Sequence, residues 1–277
     1  MPFPEPAMSQ QIDTFLRYPG SKRRMLAFLA AHLPKPDEIL GRFIEPFVGG
    51  GAIYFFMHPK RALLGDINAE LISLYVAIKR NPSSIWRIYR RFPNTKKAYK
   101  TTRDCDVERL TGAQQAARLL YLNRTCFKGM WRHNQDGKFN IGYGGQSRRW
   151  AIERKHLLHI SKLLQTARIV CADFEKLIAQ AETTDFLFLD PPYRPGQKEQ
   201  LHDHYAGRQF TFADHERLAS CLRDADDRGV PWVLTISNHP DILRLYRGFR
   251  KLRVPKGTGP SIGSLTKESG EVLITNF

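Results

Sequence analysis

The stretch Glu45-Pro46-Phe47-Val48-Gly49-Gly50-Gly51-Ala52 decides the fold. It follows the short apolar segment Phe43-Ile44 and precedes a run that is typical of a helix, Ile53 to Met57. A strand, a glycine-rich turn and a helix in this order are typical of the cofactor site of an open α/β sheet. Glycines let the backbone of such a turn approach a ligand closely. The pattern is neither Gly-x-Gly-x-x-Gly nor a loop with Gly-Lys-Ser/Thr, so pyrophosphate binding is not indicated.

A carboxylate ends the next apolar run, Ala62-Leu63-Leu64-Gly65-Asp66, about 20 residues after the start of the glycine-rich stretch. An acid at this spacing, at the end of the second strand, can accept hydrogen bonds from a ribose diol. The glycine-rich turn and Asp66 together indicate an adenosine-containing cofactor. The alternative is an ordinary loop and a solvated aspartate.

A second turn motif, Asp190-Pro191-Pro192-Tyr193, follows the apolar run Phe186-Leu187-Phe188-Leu189, which is typical of a short buried strand. The prolines end regular structure at the carboxyl end of that strand, where ligands bind in open α/β sheets. A carboxylate, a backbone carbonyl and an aromatic ring are therefore presented together. A planar base with an exocyclic amine needs two such acceptors and a ring for stacking. A purely structural turn is the alternative.

The segment from Leu16 to Lys22 precedes an amphipathic stretch from Met25 to Leu33. Ser21 is expected to cap this helix, which places Lys22 in the first turn. Because the helix dipole disfavours a cation there, we expect Lys22 to have another partner, such as a carboxylate of a ligand.

The composition indicates a polyanionic partner. The chain has 277 residues with 43 Lys+Arg and 27 Asp+Glu, a net charge of +16, which favours nucleic acid over membrane. No apolar run approaches the roughly 18 residues of a membrane span, and the start does not resemble a secretory signal. Four scattered cysteines without a Cys-x-x-Cys pair indicate reduced thiols in a cytoplasmic protein. Neither His156 with His159 nor His202 with His204 is completed by further ligands, so no metal is expected.

Strands alternate with helices in two parts of the chain, which predicts a mostly parallel sheet. Residues 16–80 and 166–277 are predicted to form this α/β domain, and 1–15 a loose N-terminal segment. The segment between them, 81–165, is helix-rich and basic. Within it, Met130 to Gly142 alternates around the hairpin turn signal Gln135-Asp136-Gly137. We predict an inserted DNA-reading subdomain; the alternative is an ordinary solvated helical insert.

Several motifs in this order resemble those of the Dam-type DNA adenine methyltransferases. They are Tyr18-Pro19-Gly20-Ser21-Lys22, Glu45 to Ala52, Gly65-Asp66-Ile67-Asn68, Leu122 to Arg132 with Gly137 to Asn140, Asp190 to Tyr193, Phe210-Thr211, Asp214-His215 and Ser237-Asn238. The resemblance covers about residues 16–277. It implies an α/β, Rossmann-like fold with a mixed sheet and an inserted target-recognition subdomain. It also implies methyl transfer from S-adenosyl-L-methionine to the exocyclic amine of an adenine flipped out of double-stranded DNA.

The resemblance assigns residues to three groups, and no metal. The catalytic group is Asp190, Pro191, Pro192 and Tyr193. The cofactor-binding group is Tyr18, Lys22, Phe47, Gly49, Asp66, Asp173, Phe174 and, in a second role, Asp190. The DNA-binding group is Arg17, Lys128 and Arg132, of which Arg132 suits a bidentate pair with guanine.

Two departures from the family pattern leave the recognition sequence open: Lys128 stands where relatives often have Asn, and Met130-Trp131 replaces a commoner pair. Three alternatives also stay open. A cytosine exocyclic-amine methyltransferase would usually have Ser before Pro-Pro-Tyr, RNA methylation is favoured by positive charge alone, and a non-catalytic DNA-binding relative would lack turnover. The family resemblance implies a bacterial or phage-encoded protein of the cytoplasm.

Four aromatic residues of the insert, Trp86, Tyr89, Phe92 and Tyr99, have two interpretations. They form the core of the subdomain, or, where exposed, they pair two protomers into a homodimer on DNA.

Overall fold

The computed structural model describes residues 14–134, 138–145, 151–193, 210–255 and 270–277. Its strands are β1 Phe43–Glu45, β2 Ala62–Asp66, β3 Ala167–Cys171, β4 Phe186–Leu189, β5 Trp232–Ser237, β6 Arg250–Arg253 and β7 Glu271–Thr275. They form one 7-stranded sheet in the order β3-β2-β1-β4-β5-β7-β6. Strands β1 to β5 are parallel, and β7 runs antiparallel to both of its neighbours. The predicted mixed α/β sheet is confirmed.

The helices are α1 Leu26–Ala30, α2 Ala52–Met57, α3 Ala69–Arg80, α4 Pro82–Tyr89, α5 Lys96–Arg103, α6 Gly112–Thr125, α7 Arg154–Leu164, α8 Phe174–Ile178, α9 Phe212–Asp227 and α10 Pro240–Leu245. Short 3₁₀ turns occupy Lys22–Met25, Pro36–Glu38 and Phe127–Gly129. Local sequence explains many of the starts: the side chain of Asn68 caps α3, and capping boxes at Thr111 and Thr211 begin α6 and α9.

The two faces of the sheet are buried in two separate apolar clusters, because successive strand residues point to opposite faces. The first face packs against α2, α3, α6 and α7, and its strand residues include Phe43, Leu64, Phe186, Phe188, Val233 and Leu273. The second face packs against α8, α9 and α10, and its strand residues include Ile44, Leu63, Leu187, Leu189, Leu234 and Ile274. Because side chains alternate between the faces along each strand, the face of a strand-end side chain follows from its position relative to these core residues.

The insert shares its apolar core with the first face, since Tyr89, Tyr99 and Tyr121 belong to the same cluster as Phe43. Its division from the α/β domain as a target-recognition subdomain stays a prediction. Tyr89 and Tyr99 are buried. The indole of Trp86 donates to the Ile152 carbonyl at 3.0 Å, and Phe92 stacks on Tyr121 at 4.7 Å between ring centroids. All four aromatic residues in question therefore pack within the insert, which agrees with the core interpretation.

The two arms of the predicted hairpin pair antiparallel. His133 is bridged to Phe139, the Asn140 N–H donates to the Arg132 carbonyl at 3.1 Å, and the Asn134 N–H donates to the Lys138 carbonyl at 2.9 Å. The predicted turn residues, Gln135 to Gly137, lie outside the described residues.

The N-terminal boundary needs a correction. Residues 1–13 of the segment predicted to be loose lie outside the described residues. Phe15, however, is fully buried, with its ring 5.2 Å from that of Tyr75 and 6.2 Å from that of Phe55. Phe15 therefore belongs to the core, because its ring completes an aromatic cluster under α2 and α3.

Candidate active site

A row of polar side chains lies on the first face where the parallel strands end, an edge that we call the carboxyl edge. Alternation from Phe43, Leu64, Phe188 and Val233 places the strand-end residues on this face. Strand β7 is antiparallel, and its pairing of Ser237 with Glu271 brings its first residue to the same edge. The row consists of Glu45, Asp66, Asp190, Thr235 and Glu271.

Asp190 is held through one of its two carboxylate oxygens. Oδ1 lies 2.8 Å from the Lys22 ammonium and accepts a 2.8 Å hydrogen bond from the Thr235 hydroxyl. The Tyr193 hydroxyl donates to the same oxygen at 3.4 Å. Among the described residues, all three contacts use Oδ1. The carboxylate is therefore anchored through Oδ1, and the contacts of the described residues leave Oδ2 unengaged.

Lys22 bridges two carboxylates. Its side chain is 3% exposed, and its Nζ lies 3.8 Å from Oε1 of Glu271 as well as beside Asp190. The same Nζ lies 4.6 Å from the centroid of the Tyr193 ring, a cation–π distance. Burial, with the nearby charge of Asp190, raises the pKa of Glu271, and the Lys22 charge acts in the opposite direction.

The expected Ser21 cap is corrected, whereas the expectation that Lys22 has a carboxylate partner is confirmed. Ser21 makes no side-chain capping hydrogen bond, because the residues after it form a 3₁₀ turn before α1 begins. The additional partner expected for Lys22 is found within the protein, since Asp190 and Glu271 supply the carboxylates.

The glycine-rich turn and Asp66 are tied together by the backbone. Oδ2 of Asp66 accepts the Gly49 N–H at 3.1 Å, and Oδ1 accepts the Asn68 N–H at 2.9 Å. Burial outweighs these bonds and raises the pKa of Asp66 to about 6. Gly49 has φ +45°, and a Cβ there would lie 2.9 Å from Cε1 of Tyr18, so the Tyr18 ring covers the turn. The predicted residues Tyr18, Gly49 and Asp66 thus lie together.

An apolar wall stands on the second face of the same edge. The rings of Phe47 and Phe174 are 5.4 Å apart, and Phe210 closes the group at 5.9 Å from Phe47. Asp173 caps α8 and pairs with Arg217 at 2.9 Å, so it is oriented at the rim. Ile67, which directly follows Asp66, is 52% exposed although it is large and apolar. Such a wall beside an exposed aliphatic side chain suits a planar ring.

Sequence reasoning missed three members of the row. Glu45 is buried, its Oε2 has no hydrogen-bond partner among the described residues, and burial with the Asp190 charge raises its pKa. Thr235 and Glu271 were also missed. Two sequence features could have identified members of this row. Glu45 is the first residue of the glycine-rich motif, and Thr235 carries a hydroxyl within the otherwise apolar stretch Trp232 to Ile236.

The predicted DNA-binding residues Arg17 and Lys128 lie at one turn. The Arg17 guanidinium donates to the Arg124 carbonyl at 3.0 Å. A Cβ on Gly129 would lie 2.5 Å from that of Arg17, so the Arg17 side chain packs against the backbone next to Lys128. Lys128 has φ +53°, a left-handed conformation that is uncommon outside glycine and often marks a functional position.

Arg132, the third of these residues, is on the hairpin. Its Nε donates to Oδ1 of Asn140 on the opposite arm at 3.0 Å. That bond orients the side chain and leaves the terminal nitrogens of the guanidinium for another acceptor. The hairpin is fixed to the α/β domain by His133, whose Nε2 lies 2.7 Å from Oε2 of Glu70 on α3.

Metal sites and membrane-spanning helices are both absent from the described ranges. They contain no group of three or more His, Cys, Asp or Glu side chains that could hold a metal ion. His202 and His204 lie outside those ranges. No helix in the described part of the chain is long and apolar enough to cross a membrane.

The fold and the carboxyl edge together define a class of enzyme. A glycine-rich turn with a strand-end acid indicates an adenosine-containing cofactor, and the Asp-Pro-Pro-Tyr turn is built for an amine on a planar base. This combination is that of a nucleic-acid amino-methyltransferase. The family model of the D12 class N6 adenine-specific DNA methyltransferases matches residues 18–257, and the chain belongs to this family.

Individual relatives agree with the family assignment. The chain is 30% identical over 273 residues to the type II methyltransferase M1.LlaDCHI of Lactococcus lactis subsp. cremoris, and the match covers 95% of each chain. It is 30% identical over 293 residues to the type II methyltransferase M.MjaIII of Methanocaldococcus jannaschii, covering 96% of this chain and 100% of that one. It is 31% identical over 239 residues to a DNA adenine methylase of Vibrio cholerae, covering 84% of each. The protein is therefore a site-specific methyltransferase that acts on adenine in DNA.

Proposed function

We propose that the protein transfers a methyl group from S-adenosyl-L-methionine to the exocyclic amine of an adenine flipped out of double-stranded DNA. The observation that carries this proposal is the Asp190 carboxylate, anchored through Oδ1 at the end of β4 with Tyr193 beside it. Asp190, Pro191, Pro192 and Tyr193 would form the catalytic turn.

The residues of the carboxyl edge fit this cofactor. Asp66, fixed by two backbone N–H groups, would accept hydrogen bonds from the ribose diol. Phe47, Phe174 and Asp173 would surround the adenine ring, with Ile67 as a further candidate beside Asp66. Tyr18, Lys22 and Gly49 would line the methionine side. When bound, S-adenosyl-L-methionine supplies a methyl group that is already activated by its sulfonium.

Glu45 suits the amino-acid end of the cofactor. It is a buried carboxylate, and its Oε2 has no hydrogen-bond partner among the described residues. A buried carboxylate is costly unless it is paired, so an ammonium group is the ligand that it would accept best. The methionine moiety carries such a group.

The target base would be held by the catalytic turn. The amine of adenine is a weak nucleophile, because its lone pair is delocalised into the ring. Asp190 and the Pro191 carbonyl are two acceptors for its two hydrogens, and they stabilise the positive charge that develops as the amine attacks. Stacking on Tyr193 would offset part of the few kcal/mol that base flipping costs.

On the DNA side, we assign residues 81–165 to target recognition and Arg17, Lys128 and Arg132 to contacts with the duplex. The net charge of +16 supports a polyanionic substrate. We place the protein with cellular DNA in the cytoplasm. A homodimer on DNA is a separate hypothesis. The aromatic residues of the insert that would have formed its interface pack within the insert instead. The hypothesis is that a target longer than four base pairs requires the dimer. Light scattering of the complex tests it, because a one-to-one complex that fully methylates a site of six or more base pairs would contradict the dimer.

One experiment tests both the reaction and the residue. Tritiated S-adenosyl-L-methionine is incubated with duplex DNA, single-stranded DNA or RNA, and the labelled nucleosides are separated after digestion. We expect N6-methyladenine from duplex DNA. For Asp190→Ala we expect the rate to fall by at least about 10²–10³-fold, because an acceptor used in the transition state is lost. The melting temperature of each variant serves as the folding control.

Three results would contradict the proposal. Label in N4-methylcytosine would indicate the cytosine reaction, and label confined to RNA would indicate another substrate. Near-normal turnover by Asp190→Ala would remove the catalytic turn from the mechanism.

A further inference from the structure

Thr235 is a polar residue at a position where the fold calls for an apolar one. It lies on the central strand β5 between Leu234 and Ile236, and all three are fully buried. Burying a hydroxyl costs free energy unless it is hydrogen-bonded. The parallel pairing of Leu189 with Leu234 places Thr235 directly beside Asp190.

The hydroxyl of Thr235 has a carboxylate and a carbonyl within reach, and the Tyr193 hydroxyl is a further hydrogen-bonding partner. Oγ1 of Thr235 lies 2.8 Å from Oδ1 of Asp190 and 3.3 Å from the carbonyl oxygen of Leu189. A hydroxyl carries a single proton, and bonds to a charged acceptor are the shorter and stronger ones. The proton therefore belongs to the Asp190 carboxylate.

Thr235 adds something that Lys22 cannot. The Lys22 ammonium neutralises Oδ1, but it stands at the end of a flexible four-carbon chain. Thr235 is short and β-branched, and its χ1 is restricted by packing on a central strand. A second donor on the same oxygen, from a rigid element, restricts rotation of the carboxylate about its bond to Cβ.

We propose that Thr235 is a positioning residue for methyl transfer: it fixes Asp190 through Oδ1, so that Oδ2 is the oxygen presented to the target amine. The inference rests on the proposed catalytic role of Asp190. A purely structural role for Thr235, in which the hydroxyl only satisfies its own burial, predicts effects on stability and none on the chemical step.

The test is Thr235→Val, which replaces the hydroxyl by a methyl group of similar size. We expect the single-turnover rate of methyl transfer to fall about 10- to 100-fold, because a small misplacement of a reacting group costs up to about 10²-fold. The dissociation constants for S-adenosyl-L-methionine and duplex DNA should stay within about twofold. Thr235→Ser, which restores the donor, should recover the rate to within about threefold of the original protein.

Thr275→Val is the matched control, since Thr275 is also a buried threonine in the sheet, on β7 at the far end from Glu271. It should leave the single-turnover rate unchanged. If Thr235→Val does not fold, Thr235→Ala gives the same comparison. The melting temperature of each variant is measured alongside.

The outcomes separate this inference from the proposed function. A normal single-turnover rate for Thr235→Val, with Asp190→Ala inactive, overturns the role of Thr235 and leaves that of Asp190. A rate loss that Thr235→Ser does not recover, or that Thr275→Val shares, also overturns it. If Asp190→Ala itself turns over normally, the proposed function fails first.

Discussion

Asp66 and Asp190 stand at the same edge of the same sheet, yet they are held in opposite ways. Asp66 accepts hydrogen bonds from two backbone N–H groups, 17 and 2 residues away along the chain. Asp190 is held by side chains from distant elements, among them Thr235, 45 residues away, and Lys22 of the first 3₁₀ turn. The half of the site proposed to bind the cofactor, called the cofactor half, is thus built from local backbone. The half proposed to bind the target base, called the target half, is built from side chains that only the folded sheet brings together.

This difference has a consequence for mutation. Among single substitutions only proline removes a backbone donor, so the cofactor half is disturbed mainly by changing Asp66 itself. The target half can be disturbed through the side chains that hold Asp190, including Thr235, to which no ligand contact is assigned. Preorganised polar groups need such support, because a site that is only slightly loose loses much of its rate.

The largest expected effect is on the target half, from Lys22→Met. The substitution removes the ammonium between Asp190 and Glu271 and leaves a 3% exposed carboxylate of Glu271 without its cation. Breaking a buried pair in this way costs about 3–5 kcal/mol of unfolding free energy. Urea unfolding at pH 8 measures the loss, and methyl transfer should be lost with it.

The pH dependence of this variant has a definite sign. Lys22 lowers the pKa of Glu271, so its removal raises that pKa further above the unfolded value. Folded protein then binds a proton that unfolded protein does not, and the variant gains stability relative to the original protein as pH falls toward 5. Lys155→Met, at an 85% exposed lysine, is the control and should not change the unfolding free energy. An unchanged unfolding free energy for Lys22→Met would show that the bridge does not support the site.

On the cofactor half, Asp66→Ala should weaken S-adenosyl-L-methionine binding by about 1.5–3 kcal/mol, the contribution of hydrogen bonds to a charged group. The unfolding free energy should change little or rise at neutral pH, because burial raises the pKa of Asp66 to about 6 and its charged form is costly in the folded state. Calorimetric titration measures the affinity. Unchanged affinity would remove Asp66 from the site.

The raised pKa gives a second test of Asp66. Only the charged carboxylate accepts both ribose hydrogens, and with a pKa of about 6 roughly one site in ten is charged at pH 5. We expect the affinity for the cofactor to fall about tenfold between pH 7.5 and pH 5. Asp66→Asn should bind more weakly but lack this part of the pH dependence. An equal pH dependence in both proteins would assign it to another group.

The same contrast explains what sequence could predict. The glycine-rich turn, Asp66 and the Asp-Pro-Pro-Tyr turn are continuous motifs at strand ends. The apolar runs and the glycines and prolines that follow them therefore predicted β1, β2 and β4 and the residues at their carboxyl ends. Thr235 and Glu271 were missed because each is an ordinary strand residue until sheet order and register place it beside Asp190. The Ser21 cap was wrong because a 3₁₀ turn replaced the first turn of the predicted helix.

On the DNA side, Arg132 is held by the neighbouring side chain of Asn140 on the hairpin. Its Nε donates to Asn140, which orients the guanidinium and leaves its two terminal nitrogens suited to a bidentate pair with one base. Arg132→Ala should relax the preference at one base pair by about 1–3 kcal/mol while other positions keep theirs. Methylation rates on a set of single-base variants of the target measure this. Equal weakening on every duplex would contradict base reading.

The smallest effect is expected for Arg90, which is exposed and lies against Trp86 at 4.9 Å from the ring centroid. No hydrogen bond from a neighbour orients it among those described, so it suits a phosphate contact, which requires charge more than direction. Arg90→Ala should weaken binding to all duplexes alike and lower the slope of log K against log salt by about 1. Fluorescence anisotropy between 50 and 200 mM salt, with Arg132→Ala in parallel, separates the two residues. A change in sequence preference for Arg90→Ala would place it among the base-reading residues and would break the distinction between oriented and unoriented cations.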